Sequence, residues 1–206
     1  VVRPSLDTSG DMVIDSAAYG RRSTAVESPD IDKDTAIDVG SITKMYTAAL
    51  LLKLWDNELT KKSSGELKAG SEGDFPEGME TKLSHFMERL QERYPDNEYL
   101  KTISKIEAER KEKDSNYEGV TLKDLLNHTH GLGERDGEKV FQEMIDDPKK
   151  QFSCSQIVQN SVFNPEKDKP GIYRYSNLGP DIAGMIIELV SGKTYDKALK
   201  DEVLTP

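Results

Sequence analysis

The first residues in this chain whose types and spacing suit chemistry are Ser41 and Lys44, a hydroxyl and an amine one helical turn apart in Gly40-Ser41-Ile42-Thr43-Lys44. A serine hydroxyl is a weak nucleophile until a base takes its proton, and a lysine is a weak base until its charged form is disfavoured. Burial and the positive end of a helix beginning at Ser41 both push Lys44 that way, and the same dipole favours negative charge developing at Ser41. The spacing alone means little. With 17 Ser and 20 Lys in 206 residues, about 1.7 Ser-x-x-Lys matches arise by chance, so the weight lies in the flanking elements. The competing reading is a serine that caps the helix and a lysine exposed in its first turn.

Other reactive side chains are few. His85, His128 and His130 are the only histidines. His128 and His130 could offer two metal ligands, but no third is evident, so structural or solvent-facing roles are expected, with no metal and no cofactor. Cys154 is the sole cysteine, which rules out an internal disulfide; with no base in view it reads as a buried or inert thiol.

The elements that must position Ser41 and Lys44 follow from pattern. Residues 11–20 read as a strand ending at Gly20, and Thr35-Ala36-Ile37-Asp38-Val39 as a second strand running into the Gly40 joint. Met45, Ala48, Ala49 and Leu52 then recur at helical spacing. That helix should end near Asp56-Asn57 and, being apolar on most faces, lie buried. Residues 61–119 are heavily charged and read as an insertion with no site. Within it, Leu83, Phe86, Met87 and Leu90 mark a short amphipathic surface helix, and residues 101–114 read as a solvated helix or a mobile insertion.

From residue 120 to 206 the pattern is helical. Thr121 and Asp124 make a capping box, Leu122, Leu125 and Leu126 an apolar stripe, and Gly131 a stop. A turn-rich, aromatic stretch at 171–180 precedes a helix with Pro180 in its first turn, Ile182, Ile186, Leu189 and Val190 on its apolar face, and Gly192 at its C-cap. A last short helix from Thr194 or Tyr195 should bury Leu199, Val203 and Leu204.

Composition bounds the function. A length of 206 residues with 35% hydrophobic and 32% charged content fits one domain with a heavily charged surface, and a net charge of −10 argues against a nucleic-acid partner. No apolar run approaches the roughly 20 residues of a membrane-spanning helix. Val1-Val2-Arg3-Pro4 is not a signal peptide, and the compartment stays open.

Three separated stretches, Gly40-Ser41-Ile42-Thr43-Lys44, Leu125-Leu126-Asn127-His128-Thr129-His130-Gly131-Leu132 and Tyr175-Ser176-Asn177-Leu178-Gly179, together resemble the serine β-lactamase-like family of penicillin-recognising enzymes. The likeness is to its class C β-lactamase, D-alanyl-D-alanine peptidase and esterase members. It covers most of residues 11–206 outside about 61–118. It implies an α/β (α+β) fold: a helical region (120–206) with the first strands (1–40) of an antiparallel sheet, joined by the nucleophile helix (41–60). Carried over by motif, Ser41 would be the acylated nucleophile, Lys44 its base partner, Tyr175 a second proton carrier, and Asn177 the residue that holds the lysine and the substrate amide. The implied substrates are β-lactams, D-alanyl or peptidoglycan peptides, or esters; the alternative is a non-catalytic binding or regulatory protein that keeps the fold. The family's placement suggests a periplasmic or extracytoplasmic location.

There are departures. His130 stands where the family commonly has Ser. The family's third motif, Lys-Thr-Gly or His-x-Gly on a late strand, has only a decoy here, Ser191-Gly192-Lys193-Thr194-Tyr195, which lacks the glycine and joins two helices. The resemblance therefore implies an incomplete sheet, weak or no activity of this chain by itself, and a further segment or partner chain supplying the remaining strands and one oxyanion-hole donor.

Overall fold

A computed structural model describes residues 2–6, 9, 12–67, 73–147 and 149–205. The chain divides into two compact units, Val1–Gly40 and Ser41–Pro206.

In the first unit, β1 (Val2–Leu6) and β2 (Met12–Ser16) pair antiparallel, with Val2 opposite Ser16 and Leu6 opposite Met12. The strand expected within residues 11–20 is β2; β1 was not anticipated. Residues 35–39 form no strand, and Ile37 is 71% exposed. A β-pattern becomes a strand only when a neighbour takes up its backbone groups. Here the chain spends backbone groups on local turns: Ile31 N–H donates to the Gly20 carbonyl, Arg22 N–H to the Pro29 carbonyl and Thr35 N–H to the Asp32 carbonyl.

The second unit is helical. α1 (Thr43–Ser64) is followed by α2 (Ser84–Arg93), α3 (Glu98–Lys113) and α4 (Leu122–Asn127). Then β3 (Glu134–Arg135) pairs with β4 (Ser161–Val162) around α5 (Gly137–Asp146) and α6 (Cys154–Gln159). α7 (Leu178–Ser191) and α8 (Tyr195–Leu199) follow, the latter running into a π-turn at Lys200–Leu204.

α7 is the central helix. It buries Leu178, Ile182, Ala183, Met185, Ile186 and Ile187 and packs against α1, α2, α4, α6 and α8. Pro180 lies in its first turn and Gly192 (φ 67°) at its C-cap, where the sequence places them. The role of buried centre was expected of α1, which is one-sided instead. Thr47, Leu50 and Leu51 face inward, while Met45 is 71% and Leu52 44% exposed. α1 packs on α7, on α8 and on the Lys200–Leu204 turn, and the Met45 and Leu52 side has no such cover within this unit's described residues.

Nor does α1 stop at Asp56-Asn57. It continues to Ser64 and ends at Gly65 in the left-handed region (φ 78°). Asn57 and Glu58 fit the helix because their polar atoms are occupied: Asn57 donates to Glu202 at 3.2 Å, while the Glu58 carboxylate pairs with Lys62 and accepts the Asp74 and Phe75 N–H groups.

Within the charged segment 61–119, α2 and α3 contribute to the core. Leu83, Phe86 and Leu90 of the expected amphipathic helix are buried, and α3 is solvated on one face only, since Tyr99, Leu100, Ile103 and Ile106 pack inward. Asn97 ties α3 to α6 by capping its first turn and donating to the Ser155 carbonyl at 2.8 Å. The Thr121–Asp124 capping box forms as expected, but α4 ends at His128 in the left-handed region (φ 61°), three residues before the glycine expected to stop it. In the last turns Ala198 is the buried residue, Leu199 and Val203 are half-buried and Leu204 is exposed.

The crossing of α7 over the end of α4 depends on Gly179. A Cβ there would collide with the Leu125 carbonyl and come within 2.9 Å of the His130 ring. Gly179→Ala is expected to destabilise the fold by about 1–3 kcal/mol, read as a lower urea midpoint with unchanged denaturant slope.

Candidate active site

The turn carrying Ser41 is set by Gly40, whose φ of 52° suits glycine and whose N–H donates to the Asp38 carboxylate at 2.8 Å. Gly40–Ile42 form one 3-10 turn and α1 begins at Thr43. The helix N-cap is Ile42, with no side-chain cap. Ser41 Oγ is not engaged in capping: it accepts from Lys44 Nζ at 3.1 Å and shares a hydrogen bond with Tyr175 Oη at 2.8 Å. Lys44 Nζ also donates to Asn177 Oδ1 at 2.7 Å and lies 5.0 Å from the Tyr175 ring centroid. The four residues singled out from sequence thus share one cluster, although 134 positions separate Ser41 from Tyr175.

Tyr175 and Asn177 arrive on a loop fastened along its length to the segment after α4. Gly171 N–H donates to the Thr129 carbonyl at 2.8 Å and Arg174 N–H to the His128 carbonyl at 2.9 Å. Ser176 Oγ donates to the Gly133 carbonyl at 2.9 Å, and Asn177 N–H to both Glu134 carboxylate oxygens at 3.0 and 2.8 Å. Arg174 pairs with the buried Asp168, whose other oxygen accepts Asn164 N–H at 2.6 Å. Arg110 of α3 donates to the Gly131 carbonyl, and to those of His130 at 3.3 Å and Asp168 at 3.0 Å, stitching both segments to the helical core.

Of the other reactive side chains, His85 stands edge-on to the Phe86 ring, centroids 5.0 Å apart. His128 stacks obliquely on Tyr175, centroids 4.7 Å apart, and accepts Ser176 N–H at 3.4 Å. His130 is buried, accepts Leu132 N–H through Nδ1 at 2.9 Å, and burial holds its pKa down to about 4. Burial pushes the Cys154 thiol up to about 12. Lys193 is ion-paired with Asp201 and Glu202 in the joint between α7 and α8.

Electrostatically, the Lys44 ammonium and then the Ser41 hydroxyl lower the Tyr175 phenol from its ordinary value, and Glu134 opposes them. A phenol that ionises more easily can serve, as phenolate, to take the Ser41 proton, as could the lysine in its free-amine form.

Two nearby residues were not anticipated. Glu134 follows the Gly131-Leu132-Gly133 turn as one charge among many in the sequence. Asp181 is one turn into α7, where an acid at a helix start is commonplace. Burial raises the Asp181 carboxyl to about 6 despite Arg135 and Lys44 nearby; Arg135 Nη1 is 3.5 Å from its Oδ2, yet that oxygen accepts no hydrogen bond.

The family model Beta-lactamase matches residues 8–206. The chain belongs to the beta-lactamase family. Its helical body and antiparallel ribbon represent that family's α/β fold class. Among solved structures, a D-stereospecific amidohydrolase from Streptomyces sp. is 23% identical with a TM-score of 0.45; the match covers 82% of this chain and spans 42% of the amidohydrolase's length. No curated protein sequence matches.

Asp181 gives this beta-lactamase-family chain a pH-dependent stability. An acid whose folded pKa (about 6) exceeds its unfolded value (3.8) stabilises the fold below the unfolded pKa and loses that contribution as pH rises through the folded one, roughly 3 kcal/mol in all. Asp181→Asn is therefore expected to stabilise the protein relative to wild type at pH 8 and to give no gain near pH 3.5, measured by urea unfolding at both.

Proposed function

We propose that this chain is a serine hydrolase of the penicillin-recognising type, acting through an acyl-Ser41 intermediate. The observation that supports this reading is Ser41 Oγ hydrogen-bonded between Lys44 Nζ and Tyr175 Oη. In it, the Ser41 proton passes to the Lys44–Tyr175 pair as Oγ attacks the substrate carbonyl carbon. Collapse of the tetrahedral adduct breaks the C–N or C–O bond, and the departing atom takes the proton back, leaving the acyl ester on Ser41. Water, deprotonated by the same pair, then attacks the ester carbon; the bond from that carbon to Ser41 Oγ breaks, Oγ takes the proton back from the pair, and the acid leaves. Asn177 seats Lys44 and offers its amide to the substrate. The substrates proposed are β-lactams, D-alanyl peptides or esters.

Labelling with a fluorescent penicillin, read on a denaturing gel and by intact mass, tests this. Wild type is expected to gain one acyl group, Ser41→Ala none, and Tyr175→Phe to acylate at least about 10²-fold more slowly with an unchanged thermal midpoint. Folded wild-type protein that takes no label from penicillin or an activated ester would instead favour a binding protein that keeps the fold.

The proposal extends to a partner. Strands from a C-terminal extension or a second chain would cover the Met45 and Leu52 face of α1 and supply a second oxyanion donor. Adding such a segment is expected to raise the acylation rate by about 10²–10³; equal rates with and without it would dismiss this extension of the reading.

A further inference from the structure

Asn177 is held at both ends of its own residue. Its side-chain oxygen receives Lys44 Nζ at 2.7 Å, and its main-chain N–H is taken by the two Glu134 oxygens at 3.0 and 2.8 Å. Glu134 is itself fixed. It lies in β3 opposite Val162, and its carboxylate also accepts the Arg135 N–H at 2.9 Å. The preceding residue, Ser176, is tied to the same short segment through the Gly133 carbonyl, and Ser176 Oγ in turn accepts Leu178 N–H at 3.1 Å. A displacement of the Glu134 carboxylate would therefore move the Asn177 main chain, and with it the oxygen that seats the Lys44 amine beside Ser41.

We propose that Glu134 is a positioning residue for proton transfer at Ser41, acting through the Asn177 main chain on the place of Lys44 Nζ. The inference rests on Ser41 as the nucleophile. A misplacement of about 1 Å in such a cluster costs up to about 10² in rate. The groups facing Tyr175 are Ser41 from the 3-10 turn before α1, Lys44 from α1, His128 from the turn after α4, and Glu134 from β3. Glu134 is the acid among them that opposes loss of the phenol proton. Its removal thus has a second consequence, which simple stabilisation of the α7 N-terminus would not have: the Tyr175 titration moves to lower pH.

The test compares Glu134→Ala, which removes both acceptor and charge, with Glu134→Gln, which keeps an acceptor and removes the charge. In fluorescent-penicillin acylation, Glu134→Ala is expected to lower the rate at saturating probe about 10-fold or more, with the half-saturating concentration within about twofold, and Glu134→Gln to recover most of that loss. Both variants are expected to shift the Tyr175 titration to lower pH, followed by NMR of ring-labelled tyrosine and assigned with Tyr175→Phe. A folded Glu134→Ala that acylates at the wild-type rate, or a Glu134→Gln no better than Ala, overturns the proposal. If Glu134→Ala does not fold, the Glu134→Gln titration decides, and an unmoved Tyr175 overturns it. If wild type itself takes no label, the nucleophile reading fails, and the Tyr175 titration still judges the charge and contact assigned to Glu134.

Discussion

The hydrogen bond from Lys44 Nζ to Asn177 Oδ1, at 2.7 Å, is the contact on which the cluster depends. Lysine carries four rotatable bonds and a strongly hydrated head, so left to itself it would sample solvent rather than stand beside a serine one turn earlier. Asn177 supplies a fixed acceptor in a half-buried place, and Ser41 Oγ supplies a second one at 3.1 Å. Two acceptors at defined positions select one rotamer from many. That selection turns a Ser-x-x-Lys spacing into a hydrogen-bonded pair with Tyr175 Oη on its far side.

Asn177 holds its place because the loop bearing it is fastened rather than packed. Residues 171–177 bury little apolar surface of their own, and Ile172 and Tyr173 are largely exposed. Their order comes from backbone and side-chain hydrogen bonds to residues 128–134 and from the Arg174–Asp168 pair. Arg110 then anchors both strips to α3. A guanidinium with five donors in a fixed plane can satisfy several carbonyls at once, and Glu107 balances its charge at 3.4 Å. The segment that looks like a charged appendage in sequence thereby holds the floor of the site.

The arrangement also stores unfavourable electrostatics. Asp181 is half-buried with an enclosed Oδ2 that accepts no hydrogen bond, and His130 is kept neutral beside Gly179 with its Nε2 unpartnered. Each would be better solvated in an unfolded chain. The two lean in opposite directions with pH: acid protonates Asp181, which the fold prefers, and also His130, which the fold resists. Asp181 stands one turn after Asn177 and the His130 ring lies against Gly179, in keeping with the general pattern that polar burial gathers around functional clusters.

What the sequence determined by itself was local. The capping box of α4, the C-cap glycine of α7, the amphipathic face of α2 and the four residues of the cluster rest on spacing within a few positions, or on short motifs read as a resemblance. Whatever depended on a partner distant in sequence had to wait for the tertiary structure. Residues 35–39 carry a strand pattern but pair with no strand among the described residues; α1 carries an apolar pattern but is covered on one face; α3 carries a charged pattern but buries one of its sides. Glu134 and Asp181 were invisible for the same reason. A carboxylate has no spacing signature of its own, and its importance arises only when folding brings Glu134 to the Asn177 amide and deprives Asp181 of water. Period and punctuation in a sequence encode which residues can form an element, whereas covering a face, satisfying a backbone group and burying a charge belong to pairs of residues that only the folded chain brings together.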